Sequence, residues 1–145
     1  MDSIDHAILA VLRTDGRVST QALAERVGLS PTPTARRVRA LERAGMIRGY
    51  GARLDEAAMG RGFAVFVSVK LDRQVEDALA AFEGAVQTMP EVMECWLMTG
   101  GRDYLLRVAT KDLAAFERFL TGRLTRVPGV ATIESAVPLR EVKRT

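Results

Sequence analysis

Arginine side chains are concentrated in one short segment of this 145-residue chain. Residues 31–53 contain six arginines and one acid, Glu42, a local charge of +5, whereas the whole chain carries +3. Guanidinium groups with so few carboxylates among them bind phosphate oxygens through Coulomb attraction and forked hydrogen bonds. The segment therefore predicts contact with a polyphosphate such as nucleic acid.

The elements that would position these arginines are three short helices. Apolar residues at helical spacing predict a helix over 2–13, and Ser19, Thr20 and Gly28 are typical of the ends of a second helix. Pro31 and Pro33 predict that a third begins at 32–34, and Gly45 ends it. Three helices in fewer than fifty residues, the last two joined by "GLSPT", indicate a helix-turn-helix.

The third helix is predicted to pack with one side and to offer the other to DNA. Ala35, Val38 and Leu41 share a face, and the arginines lie mostly opposite. The helix start, with its positive dipole end and exposed N–H groups, also suits phosphate. The predicted base contacts are Thr32, Thr34, Arg36 and Arg37, the predicted phosphate contacts are Arg39, Arg43, Arg48 and Arg53, and Ser30 completes the DNA-binding set. An ordinary solvated face is the alternative interpretation of the arginines.

The pattern changes after the third helix. "MIRGYGARLD" predicts a short strand or hairpin, a wing that brings Arg48 and Arg53 near the same DNA backbone. After Gly60 and Gly62, alternating and helical runs predict strand 63–72, helix 76–89, strands 91–100 and 103–110, helix 112–124 and strand 130–142. This βαββαβ order is the ferredoxin-like split motif, with an antiparallel sheet, both helices on one face and the other face free for a second subunit.

The fold class is therefore α+β, with three segments. Residues 1–48 are predicted to form a winged helix-turn-helix DNA-binding domain, 49–61 the wing and a linker strand, and 62–145 a ferredoxin-like domain.

Catalytic and metal sites are not indicated. The chain has one histidine, His6, and one cysteine, Cys95, in different predicted domains, so no nucleophile–base pair or metal-ligand set can be assembled. No phosphate-binding GxxxxGK loop occurs, and no cofactor is predicted. The N-terminus lacks a basic signal region, no apolar run is long enough to cross a membrane, and a lone thiol fits a reducing compartment, so we expect a cytoplasmic, nucleoid-associated protein.

Four motifs in order, "IDHAIL", "GRVSTQALAERVGLSPTP", "RVRALERAGMIRGY" and "GGRDYLLRV", closely resemble the Lrp/AsnC family, the leucine-responsive or feast/famine regulators. The likeness covers residues 2–143. It implies a transcription regulator without enzymatic activity, whose N-terminal domain binds double-stranded DNA and whose C-terminal RAM or ACT-like domain forms dimers and commonly octamers. It also implies a small effector, usually an amino acid, bound between C-terminal domains.

The same resemblance places the effector site at the loop "MTGGRDYLL". By family position, effector response falls at Leu97, Thr99, Gly100, Asp103 and Val137, the last on the final strand; the full predicted set adds Met98, Gly101, Arg102 and Tyr104. Many members read Gly-Asp-aromatic-Asp-Tyr here, and this chain instead has Gly100, Gly101, Arg102, Asp103 and Tyr104.

A physical reading of that loop assigns a role to each polar group. Exposed N–H groups around Gly100 and Gly101 would hold a carboxylate, and Asp103 would hold an ammonium group, the two charged groups of any amino acid. Arg102 would meet an acidic side chain or point to water. Trp96 and Tyr104 are expected to pack, or to line the loop.

The sequence thus predicts a sequence-specific, amino-acid-responsive regulator of amino-acid metabolism genes. Two alternatives remain at this point: an architectural protein that bridges DNA without an effector, and a sensor module whose helix-turn-helix docks on a protein.

Overall fold

The computed structural model describes residues 1–143, which form two compact units, Met1–Arg53 and a second that begins at Leu54. The first unit contains helices α1 (Ser3–Thr14), α2 (Thr20–Val27) and α3 (Pro31–Arg43). The second contains β1 (Phe63–Leu71), α4 (Glu76–Gln87), β2 (Val92–Leu97), β3 (Tyr104–Thr110), α5 (Leu113–Gly122) and β4 (Val130–Ala136). The predicted βαββαβ order and the α+β class are confirmed.

Local chemistry defines the ends of the first two helices. Asp2 caps α1 in a reciprocal box with Asp5, in which each carboxylate accepts the other residue's backbone N–H at 2.9–3.0 Å. The Ser19 hydroxyl caps α2 by accepting from Ala22 N–H, and Gly28 ends it in the left-handed conformation at φ 72°. Ile8, Leu23 and Leu41, one from each helix, form the buried core that fixes α3 against α1 and α2.

The predicted wing strand is wrong. Residues 46–62 form no strand, and residues 56–60 form a turn instead. A strand needs a partner ladder, and nothing in the described chain pairs with this segment. Within the first unit, the Tyr50 hydroxyl of this segment donates to a Glu42 carboxylate oxygen at 2.9 Å, and the pKa of Tyr50 is raised by burial and by that carboxylate.

The second unit is a four-stranded antiparallel sheet in the order β2-β3-β1-β4. One residue in two along β1 and β3 is buried beneath α4 and α5, so the helices cover a single face as predicted. The main contributors to this core are Val65, Val67, Val69, Phe82, Leu106, Phe116 and Phe119.

The opposite, open face of the sheet carries Trp96, Leu105, Phe66 and Arg107. Trp96 and Phe66 remain 44% and 37% exposed. The Arg107 guanidinium holds both carboxylate oxygens of Glu56 at 2.9 and 3.0 Å, so the turn before β1 is fastened to this face. The pKa of Arg107 is raised chiefly by that hydrogen-bonded pair.

Two strand lengths differ from expectation. β2 ends at Leu97 rather than at residue 100, and β4 ends at Ala136 rather than at residue 142. β1 pairs with β4 only as far as Phe66↔Ala136, and Pro138 has no N–H with which to extend a ladder. No helix among residues 1–143 has the length and apolar character needed to cross a lipid bilayer.

Candidate DNA-binding and effector sites

The start of α3 has fewer free N–H donors than its dipole direction implies. Pro31 and Pro33 have no N–H, and the Thr34 N–H donates to the Ser30 carbonyl at 3.3 Å. The Thr32 N–H is therefore the one backbone donor left in the first turn. The Ser30 hydroxyl makes no capping hydrogen bond, and both Ser30 and Thr32 are exposed. The start of α3 therefore presents the hydroxyl groups of Ser30 and Thr32 and only one free backbone N–H in its first turn.

Thr34 does not belong to the predicted base-contacting set. Its side chain is fully buried, and its hydroxyl donates to the Ser30 carbonyl at 3.0 Å. Since Thr34 lies on the same side of α3 as Leu41, its side chain points into the three-helix core. The helical wheel could have shown this, because residue 34 is one and two turns from Val38 and Leu41.

Five exposed arginines form the basic surface of the first unit. None of their guanidinium groups forms a salt bridge with any other part of residues 1–143. An unpaired arginine can bind phosphate without first breaking an internal ion pair. The five are Arg36, Arg39, Arg43, Arg48 and Arg53.

Arg37 differs from the other five. Its Nη1 atom lies 2.8 Å from a carboxylate oxygen of Asp2 and 2.8 Å from one of Asp5. The pKa of each carboxyl group is lowered, first by the capping N–H bond and then by Arg37, and the pKa of Arg37 is raised by Asp5 and Asp2. The predicted base contact for Arg37 is therefore replaced by a positioning role, holding α3 to the start of α1.

The β2–β3 loop carries the predicted effector residues, and its outer part is accessible. Leu97, Met98, Thr99, Gly100 and Gly101 are exposed. Gly100 has φ 95°, a left-handed value that favours glycine, and the amides of Gly100 and Gly101 donate no hydrogen bond within residues 1–143. These two N–H groups are not used within the described chain, and their binding of a carboxylate stays a prediction.

Asp103, the predicted ammonium ligand, is buried within its own chain. It is 4% exposed, and its carboxylate accepts the Leu71 N–H at 2.7 Å and the Gln74 side-chain amide. The backbone of Asp103 also joins Val69 O and Met98 N, at 2.9 and 2.8 Å. Asp103 therefore closes the end of the β1–β3 ladder beyond Val69 and Tyr104 and fixes the base of the loop.

The remaining predicted effector residues divide between the core and the open face. Tyr104 is 1% exposed, stacks on Phe82 with ring centroids 4.5 Å apart and donates to Glu83 at 2.7 Å, so it packs rather than lines the loop. Burial is the main reason why its pKa is raised. The two contacts expected of Arg102 were an acidic side chain or water. Its Nη1 instead donates to the Ser68 hydroxyl at 2.8 Å. Val137 is exposed and lies just beyond β4, not on it.

The lone cysteine and the lone histidine lie in different units of the chain. In the part of the chain that the structure describes, no group of three His, Cys, Asp or Glu residues could hold a metal ion. Burial, with a smaller effect of the Glu83 charge, raises the pKa of Cys95 to about 11, so its thiol stays protonated near neutral pH.

Both units of the chain match models of known protein families. The model described as the Lrp/AsnC ligand-binding domain matches residues 64–145, and a winged helix-turn-helix DNA-binding model matches residues 1–48. The chain belongs to the Lrp/AsnC family. It is a transcription regulator with a DNA-binding and a ligand-binding domain, and its family consists of regulators rather than enzymes.

Relatives cover almost the whole of this Lrp/AsnC protein. The Bkd operon transcriptional regulator of Pseudomonas aeruginosa is 54% identical over 142 residues, 98% of this chain and 93% of the relative. The leucine-responsive regulatory protein of Escherichia coli is 43% identical over 99% of this chain and 88% of the relative. A transcriptional regulator from Neisseria meningitidis, solved in complex with L-Met, superposes with a TM-score of 0.95 at 39% identity, covering 100% of this chain and 94% of that one.

Several residues that hold the sites were not singled out from the sequence. Asp2 and Asp5 hold Arg37, Gln74 and the Leu71 amide hold Asp103, and Ser68 holds Arg102. The sequence does indicate the role of Asp2 and Asp5, since two acids three residues apart fit a capping box. It does not indicate the partners of Asp103 and Arg102, because these lie about 30 residues away along the chain.

Proposed function

We propose that this Lrp/AsnC regulator binds its operators through Ser30, Thr32 and Arg36 at the base edges, and through Arg39, Arg43, Arg48 and Arg53 on the phosphates. The observation that carries the proposal is the set of exposed, unpaired arginines on and after α3 in a three-helix unit. In a two-fold dimer the two copies of α3 would contact half-sites about one helical turn of DNA, or a multiple of it, apart.

The experiment for DNA binding is a fluorescence-anisotropy titration. The purified chain is titrated into a labelled duplex selected by the protein from a random pool, and into a scrambled duplex of equal length. We expect Arg36→Ala to lower the preference for the selected duplex about tenfold. The matched control is Arg73→Ala, an exposed arginine of the second unit, which should leave both affinities unchanged. Absence of binding to any duplex at low salt would refute the proposal and favour a protein-docking module.

The proposed effector is an amino acid whose carboxylate is bound by the Gly100 and Gly101 amides. Support comes from the exposure of these donors and from the relative that was solved with L-Met. Because Asp103 is buried within its own chain, the ammonium group would be bound by another residue, supplied by a second copy at the edge of the loop. Leu97, Met98, Thr99 and Val137 would contact the effector side chain.

A thermal-shift screen against the twenty standard amino acids tests this effector assignment. A ligand that binds only the folded chain raises Tm by mass action. Gly101→Pro removes one of the two proposed donors and should abolish the shift, whereas Gly122→Ala, at the end of α5, should retain it. No shift with any amino acid, combined with broad, sequence-tolerant DNA binding, would instead indicate an architectural DNA-bridging protein.

Self-association is proposed to begin with the open face of the sheet and to continue to octamers. Trp96, Leu105 and Phe66 form an apolar centre there, and the helices cover only the opposite face. Effector binding would then bias assembly, since a ligand shifts an equilibrium only by its differential affinity for the two states. We further propose that this regulator acts in the cytoplasm on the nucleoid and controls amino-acid metabolism genes; support for the link to amino acids comes from the relative named leucine-responsive regulatory protein.

A further inference from the structure

A cleft in the second unit lies outside both sites described above. It has a volume of about 460 Å³ and opens between the end of β3, α5 and the turn before β2. Its floor includes Phe119, which is buried, and its walls carry Arg61, Lys111, Arg118 and Arg123 with a single acid, Glu91. That volume falls in the range of small-molecule sites, about 300–1,000 Å³.

Three of the four cations in this cleft are not neutralised by a carboxylate. Arg123 is paired, with Nη1 3.3 Å from Glu91 and Nη2 donating to the Thr88 carbonyl at 2.9 Å. Lys111 and Arg118 form no hydrogen bond or salt bridge through their side chains with the rest of residues 1–143. Arg61 donates to the Met93 sulfur at 3.4 Å, and a thioether is a weak acceptor. The cleft therefore holds an excess of positive charge around an apolar floor.

We propose that this cleft binds a small molecule that carries one or more phosphate groups beside a flat apolar part, with the size and chemistry of a nucleotide. Lys111, Arg118 and Arg61 would bind the phosphate oxygens, and the accessible apolar surface of Pro90 and Ala115, above the buried Phe119, would contact the apolar part. A zwitterionic amino acid fits poorly, because its ammonium group would need a carboxylate and Glu91 is already held by Arg123. The site is therefore distinct from the effector loop and adds a second input to the regulator.

Isothermal titration calorimetry of the full chain with ADP and with inorganic pyrophosphate, at fixed ionic strength, tests the proposal. We expect saturable binding of ADP, and binding at least about tenfold weaker in the double variant Lys111→Gln/Arg118→Gln, because two charge-assisted contacts are lost. The matched control Arg73→Gln/Arg126→Gln removes two positive charges of the same unit outside the cleft and should bind ADP as the wild type does. Circular dichroism confirms that each variant is folded.

Three outcomes would overturn the assignment. The first is no binding of ADP or pyrophosphate at millimolar concentration. The second is equal weakening of ADP binding by both double variants, which would show only an effect of bulk charge. The third is that Lys111→Gln/Arg118→Gln weakens duplex binding and lowers its salt slope by about 2, at roughly 0.9 per phosphate, while ADP does not bind, which would assign these cations to the DNA backbone. The amino-acid thermal shift should persist in Lys111→Gln/Arg118→Gln, so that failure here is separable from failure of the effector loop.

Discussion

The Nη1 atom of Arg37 on α3 lies 2.8 Å from a carboxylate oxygen of Asp5 on α1. Asp5 is also a member of the capping box that begins α1, so one acid both stabilises the start of α1 and holds α3. The other arginines of α3 make no such pair. Arg37 therefore adds an ion pair between α3 and α1 to the buried core that orients α3 and the arginines it carries.

This pair predicts a pH-dependent contribution to stability. The pKa values of Asp2 and Asp5 in the folded state lie below the ordinary value of 3.8. A carboxyl group with a lowered folded pKa stabilises the fold above its unfolded pKa, and this contribution is lost as the pH falls through the folded value. We expect Arg37→Gln to lower Tm at pH 7, and the difference from wild type to shrink as the pH falls below about 3.8.

The control for this pH dependence is Arg39→Gln, which removes an exposed arginine of the same helix with no carboxylate partner. Its Tm difference from wild type should be small and should not change over the same pH range. Thermal unfolding followed by circular dichroism at 222 nm, from pH 7 to pH 2.5, measures both. An Arg37→Gln difference that stays constant to pH 2.5 would contradict the assignment of the stabilisation to Asp2 and Asp5.

Asp103 supplies a second prediction, on stability rather than on ligand response. Asp103→Ala leaves the Leu71 N–H buried without an acceptor, which costs about 1–3 kcal/mol of unfolding free energy. Asp103→Asn keeps an oxygen that accepts the Leu71 N–H, and its amide N–H can donate to the Gln74 amide oxygen once the Gln74 amide turns over. This variant should therefore lose less unfolding free energy than Asp103→Ala. Urea unfolding measures both variants.

The ligand response of the same variants distinguishes the two roles of Asp103. If it is structural, Asp103→Asn should retain the effector-dependent rise in Tm. If Asp103→Asn is as stable as wild type but no longer responds to the effector, then the carboxylate contacts the ligand and our assignment is wrong.

The sequence was sufficient for the elements because their signals are local. Ser19, Gly28 and the prolines at 31 and 33 act on the backbone within a turn of themselves, and alternation marks β1 and β3 directly. The missing wing strand and the short β4 are different, because a strand exists only where a partner ladder reaches it. A local sequence pattern cannot show where the neighbouring strand that would pair with it ends.

The site residues were predicted by type, and the errors arose where the partner is distant in sequence. The excess of arginine in residues 31–53 is visible in composition, and five of these six arginines are exposed and unpaired within residues 1–143; their DNA contacts stay a prediction. The ion pairs of Arg37 are not visible in composition, because its partners Asp5 and Asp2 lie 32 and 35 residues away. Asp103 has the residue type expected of a ligand contact, but the Leu71 amide and Gln74 use its oxygens, which only the assembled sheet shows.

The open face of the sheet gives a prediction on assembly. Trp96→Asp places a charge at the centre of the proposed contact, which should raise the dissociation constant by about thirtyfold or more if Trp96 is a hot spot. Leu113→Asp is the matched control, because Leu113 is 63% exposed on α5, on the helix side of the sheet. Size-exclusion chromatography with light scattering should show a smaller assembly for Trp96→Asp alone. Equal masses for both variants would place the contact elsewhere.

The division of labour among the arginines gives the final prediction. Arg48 follows α3 and Arg53 ends the first unit, both exposed and unpaired within residues 1–143, so each should neutralise one phosphate. Arg48→Ala or Arg53→Ala should weaken selected and scrambled duplexes alike and lower the slope of log K against log salt by about 0.9. Arg36→Ala should instead reduce the ratio between the two duplexes, because a base contact is lost. Anisotropy titrations from 50 to 200 mM salt measure both quantities, and the same change in ratio and slope for all three variants would refute the division.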